Sequence, residues 1–315
     1  MGKVKGHRLQ CTGDVLTALL PTRQQQKLID AGADIRANPD AGEIAFLARS
    51  LVSATLPHSD PGSASVWRRV SGGRAFVLQA GIDGFTGESA GIPYGTIPRL
   101  LLFWVVTAAI RSKSPVLQLG DHLADFMREL GLDPSRGGKR SDAYRLREQA
   151  KRLFSASVTF QERAVEGQQV TERRAAMPIT RQSKLWWSPR DPHAPTLWGS
   201  WIELGQDFYQ AVIASPVPVD VRALRALKRS PLALDLYALV TYRSFVASKR
   251  REGYSCTWSD LHQQLGADYA DVKDFRRKCV AALKKIAVAM PTLKIRRETG
   301  GFTILPSSRP AIGPR

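Results

Sequence analysis

The sequence has few of the features that mark membrane-spanning, secreted or zinc-binding proteins. Its most apolar run, residues 100–110, is about half as long as a helix that crosses a bilayer. No continuous apolar stretch follows the basic N-terminus, so we expect no secretory signal. The three cysteines, Cys11, Cys256 and Cys279, are too scattered for a disulfide framework or a zinc finger. We therefore expect a cytoplasmic protein that does not bind membranes.

Motifs that would support catalysis are also missing. A phosphate-binding loop fails because Arg140 follows Lys139 where Ser or Thr is needed, and because Asp133 replaces the first glycine. No Ser or Cys stands in a nucleophile-elbow context. The five histidines contain no His-x-His pair of the kind expected in a metal-dependent nickase; they are His7, His58, His122, His193 and His262. We expect a binding protein rather than an enzyme, with no cofactor and no metal.

Positive charge is in clear excess. There are 46 Lys and Arg against 28 Asp and Glu, a net charge of +18, with 43% hydrophobic residues in 315. The hydrophobic fraction is enough for an ordinary core, and the length suits about two domains. Because so many like charges repel one another, a polyanionic partner is the usual explanation. Nucleic acid is the leading candidate.

The order of predicted elements repeats in the two halves of the chain. Each half contains a helix, a short strand, a helix, a glycine-containing turn, a helix and a β-hairpin. In the first half, the third helix is predicted over residues 141–154 and the hairpin over 157–180. In the second, they are predicted over 271–289 and 292–305. A helix-turn-helix followed by a β-ribbon is the winged-helix order, so we predict an α+β fold with two winged-helix units in tandem.

The N-terminal region is weakly patterned. Short helices are predicted over residues 24–31 and 43–55, and a β-hairpin over 66–79. The predicted organisation has four parts: a partly flexible N-terminal extension of unknown role (1–62), a first winged-helix domain (63–190), a second winged-helix DNA-binding domain (191–307) and a flexible tail (308–315).

Basic residues fall on the surfaces that a winged-helix protein turns toward DNA. The third helix of each unit has an apolar stripe, formed by Ala143, Leu146, Ala150 and Leu153 or by Val272, Phe275, Cys279, Leu283 and Ile286, and cations elsewhere. A solvated helix face also carries cations, but here they recur in both helices and both hairpins. The predicted DNA-binding residues are Lys139, Arg140, Arg145, Arg147, Lys151, Arg152, Arg173, Arg174, Lys273, Arg277, Lys284, Lys285, Lys294, Arg296 and Arg297.

Four tryptophans lie between the two halves. Trp186, Trp187, Trp198 and Trp201 could stack on unpaired bases, but a dense aromatic cluster more often belongs to a core or to a seam between domains. The seam is the favoured interpretation.

Several segments resemble one family, the RepA-type initiators of plasmid replication typified by broad-host-range plasmids. The resembling segments begin at Ile92 (Ile-Pro-Tyr-Gly-Thr-Ile-Pro-Arg-Leu-Leu-Leu), Leu119 (Leu-Gly-Asp), Phe126 (Phe-Met-Arg-Glu-Leu-Gly-Leu), Gly137 (Gly-Gly), Leu146 (Leu-Arg-Glu-Gln), Arg152 (Arg-Leu-Phe), Ser215 (Ser-Pro-Val-Pro-Val-Asp) and Leu224 (Leu-Arg-Ala-Leu-Lys-Arg-Ser-Pro-Leu-Ala-Leu-Asp-Leu-Tyr). Together, in this order, they are fairly specific, and the resemblance runs from about residue 66 to about residue 305.

The resemblance implies a bacterial, plasmid-associated protein that binds repeated double-stranded DNA sites at a replication origin. It also implies opening of an adjacent AT-rich region with the host initiator, recruitment of the host replicative helicase, and no catalysis. By analogy with related initiators, a homodimer could repress where the monomer starts replication, which would control plasmid copy number. Two alternatives stay open: a winged-helix transcriptional repressor, and a nickase or primase.

Overall fold

The computed structural model describes residues 21–39, 42–53, 55–167, 169–185, 199–266 and 269–309. In these ranges helices alternate with antiparallel strands, which confirms a mixed α+β fold. The helices are α1 (Arg23–Ala37), α2 (Arg49–Val52), α3 (Thr96–Ser112), α4 (Leu123–Glu129), α5 (Asp142–Ser155), α6 (Gln206–Ile213), α7 (Val221–Leu227), α8 (Pro231–Ala247), α9 (Trp258–Leu265) and α10 (Val272–Ala289). The strands are β1 (Ile44–Ala48), β2 (Val66–Ser71), β3 (Arg74–Gln79), β4 (Val116–Gln118), β5 (Ser157–Glu166), β6 (Gln169–Pro178), β7 (Thr180–Lys184), β8 (Trp201–Leu204), β9 (Pro216–Asp220), β10 (Tyr254–Thr257), β11 (Ile295–Glu298) and β12 (Gly301–Ile304).

The core is organised around α3 and α8, the two 17-residue helices that are buried on most sides. Because a helix with apolar residues on all faces is stable only when other elements shield it from water, the remaining helices and strands pack against these two. Helix α8 begins with Ser230 accepting a hydrogen bond from the Ala233 N–H and with Pro231 in the first turn. Helix α3 begins without a side-chain cap, although Thr96 stands at its first position. The N-cap is Gly95, whose φ of 78° suits glycine and whose N–H donates to the Pro57 carbonyl.

A buried ion pair joins α3 to α8. The Arg99 guanidinium donates from Nε to Asp235 Oδ1 at 2.8 Å and from Nη2 to Oδ2 at 2.7 Å. His58 Nε2 lies 2.9 Å from the same Oδ2, and Arg99 also donates to the carbonyls of Leu56 and Pro57. Burial raises the pKa of Asp235, but Arg99 and His58 outweigh it and hold that pKa below its ordinary value. The pair therefore fixes both helices and the segment before β2.

Two three-stranded sheets have the same strand order. Strands β4, β8 and β7 are neighbours in that order, and so are β10, β12 and β11. In each sheet the strand before the short helix pairs with the last strand of the unit. Strand β8 lies beyond residue 190, so the first of these sheets crosses that predicted boundary.

The first half contains two pairs of strands after α5, where the sequence predicted a single hairpin. Strands β5 and β6 form a long hairpin, but β5 pairs with β3, and together they make the four-stranded sheet β2-β3-β5-β6. The hairpin predicted over residues 157–180 is thus not the one that completes the sheet with β4. That position belongs to β7 and β8.

The third helices of the two halves agree with prediction to within a residue, and most of their predicted stripes are buried. Leu146, Ala150 and Leu153 of α5 are buried, with Ala143 only partly so. In α10 the stripe is buried from Phe275 to Ile286. Val272 is 40% exposed, contrary to prediction, because it is the first residue of α10 and lies in an exposed stretch, residues 270–273.

The N-terminal region packs against both halves of the chain, with β1 on α3 and α1 on helices of the second half. The helix predicted over residues 24–31 is confirmed as the longer α1, which packs against α7 and α10. A Cβ on Gly32 would lie 2.2 Å from the Val288 carbonyl oxygen, so the approach to α10 requires glycine. The helix predicted over 43–55 is wrong in its first part: strand β1 pairs there with β9, and only α2 is helical. A short apolar run has no periodicity that separates strand from helix.

The two described cysteines give a test of the packing. Both thiols are buried, and burial raises the pKa of Cys279 to about 12 and that of Cys256 above its ordinary value. In a Cys11→Ser chain at pH 8, we expect Ellman's reagent to label both thiols of the native protein more slowly than those of the urea-unfolded protein, by about a thousandfold for Cys279, because only the thiolate reacts. Equal rates in the two states would contradict the packing of α8 and α10.

Among the described helices, none is both long enough and apolar enough to cross a membrane.

Candidate nucleic-acid interface

Helix α10 carries the densest positive charge of the described helices. Asp271 caps it by accepting a hydrogen bond from the Asp274 N–H at 2.7 Å, which sets the start of the helix. Its 18 residues contain six Lys and Arg and one acid, Asp274. All six cations are exposed; they are Lys273, Arg276, Arg277, Lys278, Lys284 and Lys285. Arg276 and Lys278 were not singled out from the sequence, although a simple charge count along the helix would have found them.

Three of these cations form one row along the helix. At 100° per residue, Lys273, Arg277 and Lys284 lie within about 40° of one another. Arg277 contacts Asp274 at 2.6 Å, with its side chain 75% exposed. An ion pair this exposed is weak, so a phosphate or a base edge can replace the carboxylate. The row therefore offers three donors to a ligand along one helix face.

The hairpin after α10 adds three more exposed cations. Lys294, Arg296 and Arg297 are all exposed, and Arg296 contacts Glu298 at 3.3 Å. A hydrogen bond from Thr303 is the main reason that the pKa of Glu298 is lowered. Ser308 fixes the start of the hairpin, since its Oγ accepts from the Lys294 N–H at 2.9 Å. The hairpin thus stands on an ordered base.

In the first half, three predicted cations gather at the start of α5. Ser141 caps the helix by accepting from the Tyr144 N–H. Lys139, Arg140 and Arg145 line a cavity of about 440 Å³ together with Tyr94 and Tyr144. All three cations are exposed, and Arg145 contacts Asp142 at 3.4 Å. Positive side chains and free backbone N–H groups here favour an anion.

The remaining cations of α5 have different surroundings. Lys151 forms an ion pair with Asp83, and this contact is the main reason that the pKa of Asp83 is lowered. Arg152 is partly buried, donates to the Ile92 carbonyl at 3.2 Å and lies over the Tyr94 ring at 5.2 Å. Both are therefore engaged within the protein more than the sequence suggested, whereas Arg147 is exposed on the other edge of the helix.

The structure separates Arg173 and Arg174 from the other predicted residues. They lie on β6, in the four-stranded sheet, and not on the sheet that contains β4. Five further arginines on or near that sheet were missed from the sequence: Arg49, Arg69, Arg74, Arg243 and Arg250. They come from three separate parts of the chain, and the sequence carries no signal that these parts meet.

Other candidate features give less. Trp201 is partly buried on β8, next to β4 and β7, while Trp186, Trp187 and Trp198 lie outside the described residues. Within the described ranges, no three His, Cys, Asp or Glu side chains are grouped so that they could hold a metal ion.

Comparison with known proteins gives two solved structures and one family. A crystal structure of domains 2–3 of RctB matches with a TM-score of 0.46 and 13% identity, covering 80% of this chain and 93% of that one. A structure of selenomethionine derivatives of the same two domains matches with a TM-score of 0.48 and 12% identity over the same shares. The comparison with curated proteins gives no match.

The family model described as plasmid encoded RepA protein, RepA_C, matches residues 92–260. That is more than half of the chain, and it contains all the segments from Ile92 to Tyr237 on which the resemblance was based. The chain therefore belongs to the RepA_C family of plasmid-encoded replication initiators.

Proposed function

We propose that the protein starts plasmid replication by binding repeated double-stranded DNA sites at the origin through two winged-helix units. Helices α5 and α10 would enter successive major grooves, with the paired strands β7 and β8, and β11 and β12, as parts of the wings. The observation that carries this proposal is α10, a helix that buries one stripe and exposes six cations against a single acid. The common strand order of the two three-stranded sheets supports the pairing of the units.

In this arrangement the two groups of cations contact different parts of the DNA. Base edges and phosphates in one major groove would be contacted by Lys273, Arg277 and Lys284. The DNA phosphate backbone near the other groove would be contacted by Lys139, Arg140 and Arg145. The interface proposed here does not include Arg173 and Arg174, because they belong to the separate four-stranded sheet. The proposal extends to origin opening and to recruitment of the host initiator and helicase, and the family membership supports this part. We propose no catalytic step, and dimerisation is a further part of the proposal.

A gel-shift titration on the origin DNA of the protein's own plasmid tests this function. We expect a ladder of discrete complexes on direct repeats that survives competitor DNA. We also expect a steep loss of affinity between 50 and 200 mM salt, about a thousandfold or more for six or more phosphate contacts. A control duplex with the repeats scrambled should give only weak, unresolved binding.

Other outcomes would point elsewhere. One complex on a palindrome at a promoter, with none on the repeats, would favour a winged-helix repressor. Metal-dependent cleavage of the DNA would favour a nickase. Smeared binding that does not distinguish the repeats from the scrambled duplex would contradict sequence-specific recognition.

A further inference from the structure

A cleft of about 680 Å³ lies between the four-stranded sheet and α8. On the sheet side, cross-strand pairing puts Arg74, Glu162 and Arg173 in one row on one face, next to the row of Phe76 and Phe160. On the other side the cleft is lined by residues of α8 and of the loop after it, and by α2. It is thus a concave site, separate from the exposed faces of α5 and α10.

The deepest charge in this cleft is Arg243, which is only 9% exposed. Its guanidinium donates to Cys256 Sγ at 3.2 Å and to Gln264 Oε1 at 3.0 Å, and it lies over the Tyr254 ring at 5.0 Å. All three partners are neutral, and no carboxylate in the described part of the chain forms an ion pair with it. Buried charges in proteins are normally paired, because desolvation of an unpaired ion is costly. A bound anion would supply the missing negative charge.

The rest of the lining is strongly cationic. Seven arginines and one acid line the cleft. The acid, Glu162, is already engaged by Arg74 at 2.9 Å. Arg49 and Arg173 are exposed and form no ion pair within the described residues, so both guanidinium groups are available to a ligand. Planar guanidinium forks match phosphate oxygens in a bidentate manner, which makes phosphate the best fit among anions.

Aromatic rings lie between these cations. Phe160 and Tyr242 line the cleft and are partly exposed, and Phe160 packs on the buried Phe76 at a centroid distance of 5.5 Å. Exposed ring faces beside arginines are the combination that binds unpaired bases. The volume falls within the range of small-ligand sites, so a ligand would enter as one or two nucleotide units and not as a duplex.

We infer that this cleft binds nucleotides through their phosphates, with Arg243 taking a phosphate and the Phe160 and Tyr242 rings contacting the base. A free nucleoside polyphosphate and a short stretch of unpaired strand present the same chemistry, and the experiment distinguishes them. The inference does not depend on the duplex interface proposed for α5 and α10.

The test measures binding of ATP, a labelled ten-nucleotide oligo-dT and inorganic tripolyphosphate to the full chain, by calorimetry, anisotropy and thermal shift. We expect ATP or oligo-dT to bind and to raise the melting temperature of the wild type. Arg243→Met should lower that affinity about tenfold or more, because it removes charge-assisted hydrogen bonds. The double variant Arg49→Ser, Arg173→Ser should do the same without disturbing the core. The matched control is Arg68→Ser, an exposed arginine on the opposite face of the same sheet, which should change affinity less than twofold.

Each outcome decides the matter. Binding of ATP without oligo-dT identifies a free nucleotide as the source, and the reverse identifies an unpaired strand. The inference would be overturned if neither ATP nor oligo-dT bound, or if tripolyphosphate bound as tightly as they do. It would also be overturned if the double variant and Arg68→Ser lost the same affinity. If Arg243→Met does not fold, the double variant alone decides. Failure of the duplex proposal would be seen separately, since Arg243→Met should still shift origin DNA if that proposal is right.

Discussion

Replacing Lys273, Arg277 and Lys284 by glutamine should lower affinity for the origin repeats by about 100-fold to a millionfold. The three side chains form one row on α10, and each contact to a base or phosphate contributes about 1–3 kcal/mol. None of the three is buried, so the variant should keep the melting temperature of the wild type. Fluorescence anisotropy with a labelled repeat duplex at several salt concentrations measures the loss.

The salt dependence distinguishes base contacts from phosphate contacts. If all three residues contact phosphates, the slope of log K against log salt should become shallower by about 2.7. If they contact bases, the slope should stay and the preference for the repeat over scrambled DNA should collapse. The matched control, Arg23→Gln, Lys27→Gln and Arg36→Gln on α1, removes the same charge from exposed positions on another helix. An equal loss in this control would mean that only net charge matters and would contradict a recognition role for α10.

Replacing Asp235 by asparagine should cost about 3–5 kcal/mol of unfolding free energy. The substitution keeps the shape of the side chain but leaves Arg99, which is 3% exposed, without its carboxylate partner. Urea unfolding followed by circular dichroism measures the loss. The control is Asp125→Asn, which breaks the exposed contact with Arg128 and should cost less than about 1 kcal/mol. Similar losses in both variants would contradict the buried pair.

The pH dependence of the same variant has a defined sign. The folded state lowers the pKa of Asp235, so its contribution is complete above the unfolded pKa, near pH 4, and is lost as the pH falls through the folded value. The stability difference between wild type and Asp235→Asn should therefore shrink as the pH falls from 5 toward 2. A difference that grew in acid would show that Arg99 and His58 do not hold the carboxylate in its charged form.

The parts of the fold that the sequence predicted well are those with strong local signals. Helix α10 combines a cap at Asp271 with a 3.6-residue stripe, and the turn at residues 299–300 marks the last hairpin. The prediction for the residues of β1 was wrong because five consecutive apolar residues have neither a helical nor a strand period. Their structure is decided by the pairing with β9. Local pattern predicts elements, whereas pairing between distant segments decides their neighbours.

The difference between local pattern and long-range pairing also explains which site residues could be predicted from the sequence. The cations of α10 are close in sequence and share a helix face, so periodicity was enough to group Lys273, Arg277 and Lys284. The cleft of Arg243 brings together α8, α2 and four strands of a sheet from positions as far apart as residues 49 and 264. The register that turns Arg173 toward the cleft and Arg68 away from it is set by sheet pairing, which no single strand reveals.

The pairing of β1 with β9 has a consequence for how the chain folds during synthesis. Ile44 lies opposite Asp220, so the partner of β1 is made long after β1 itself. At typical bacterial elongation rates of 5–20 residues per second, the interval is about 10–35 s. During that time the apolar strand has an unpaired edge, and a chain that ended before β9 would keep it. Ribosome-bound intermediates of this protein should therefore be the species most in need of a chaperone, until β9 emerges and pairs with the strand.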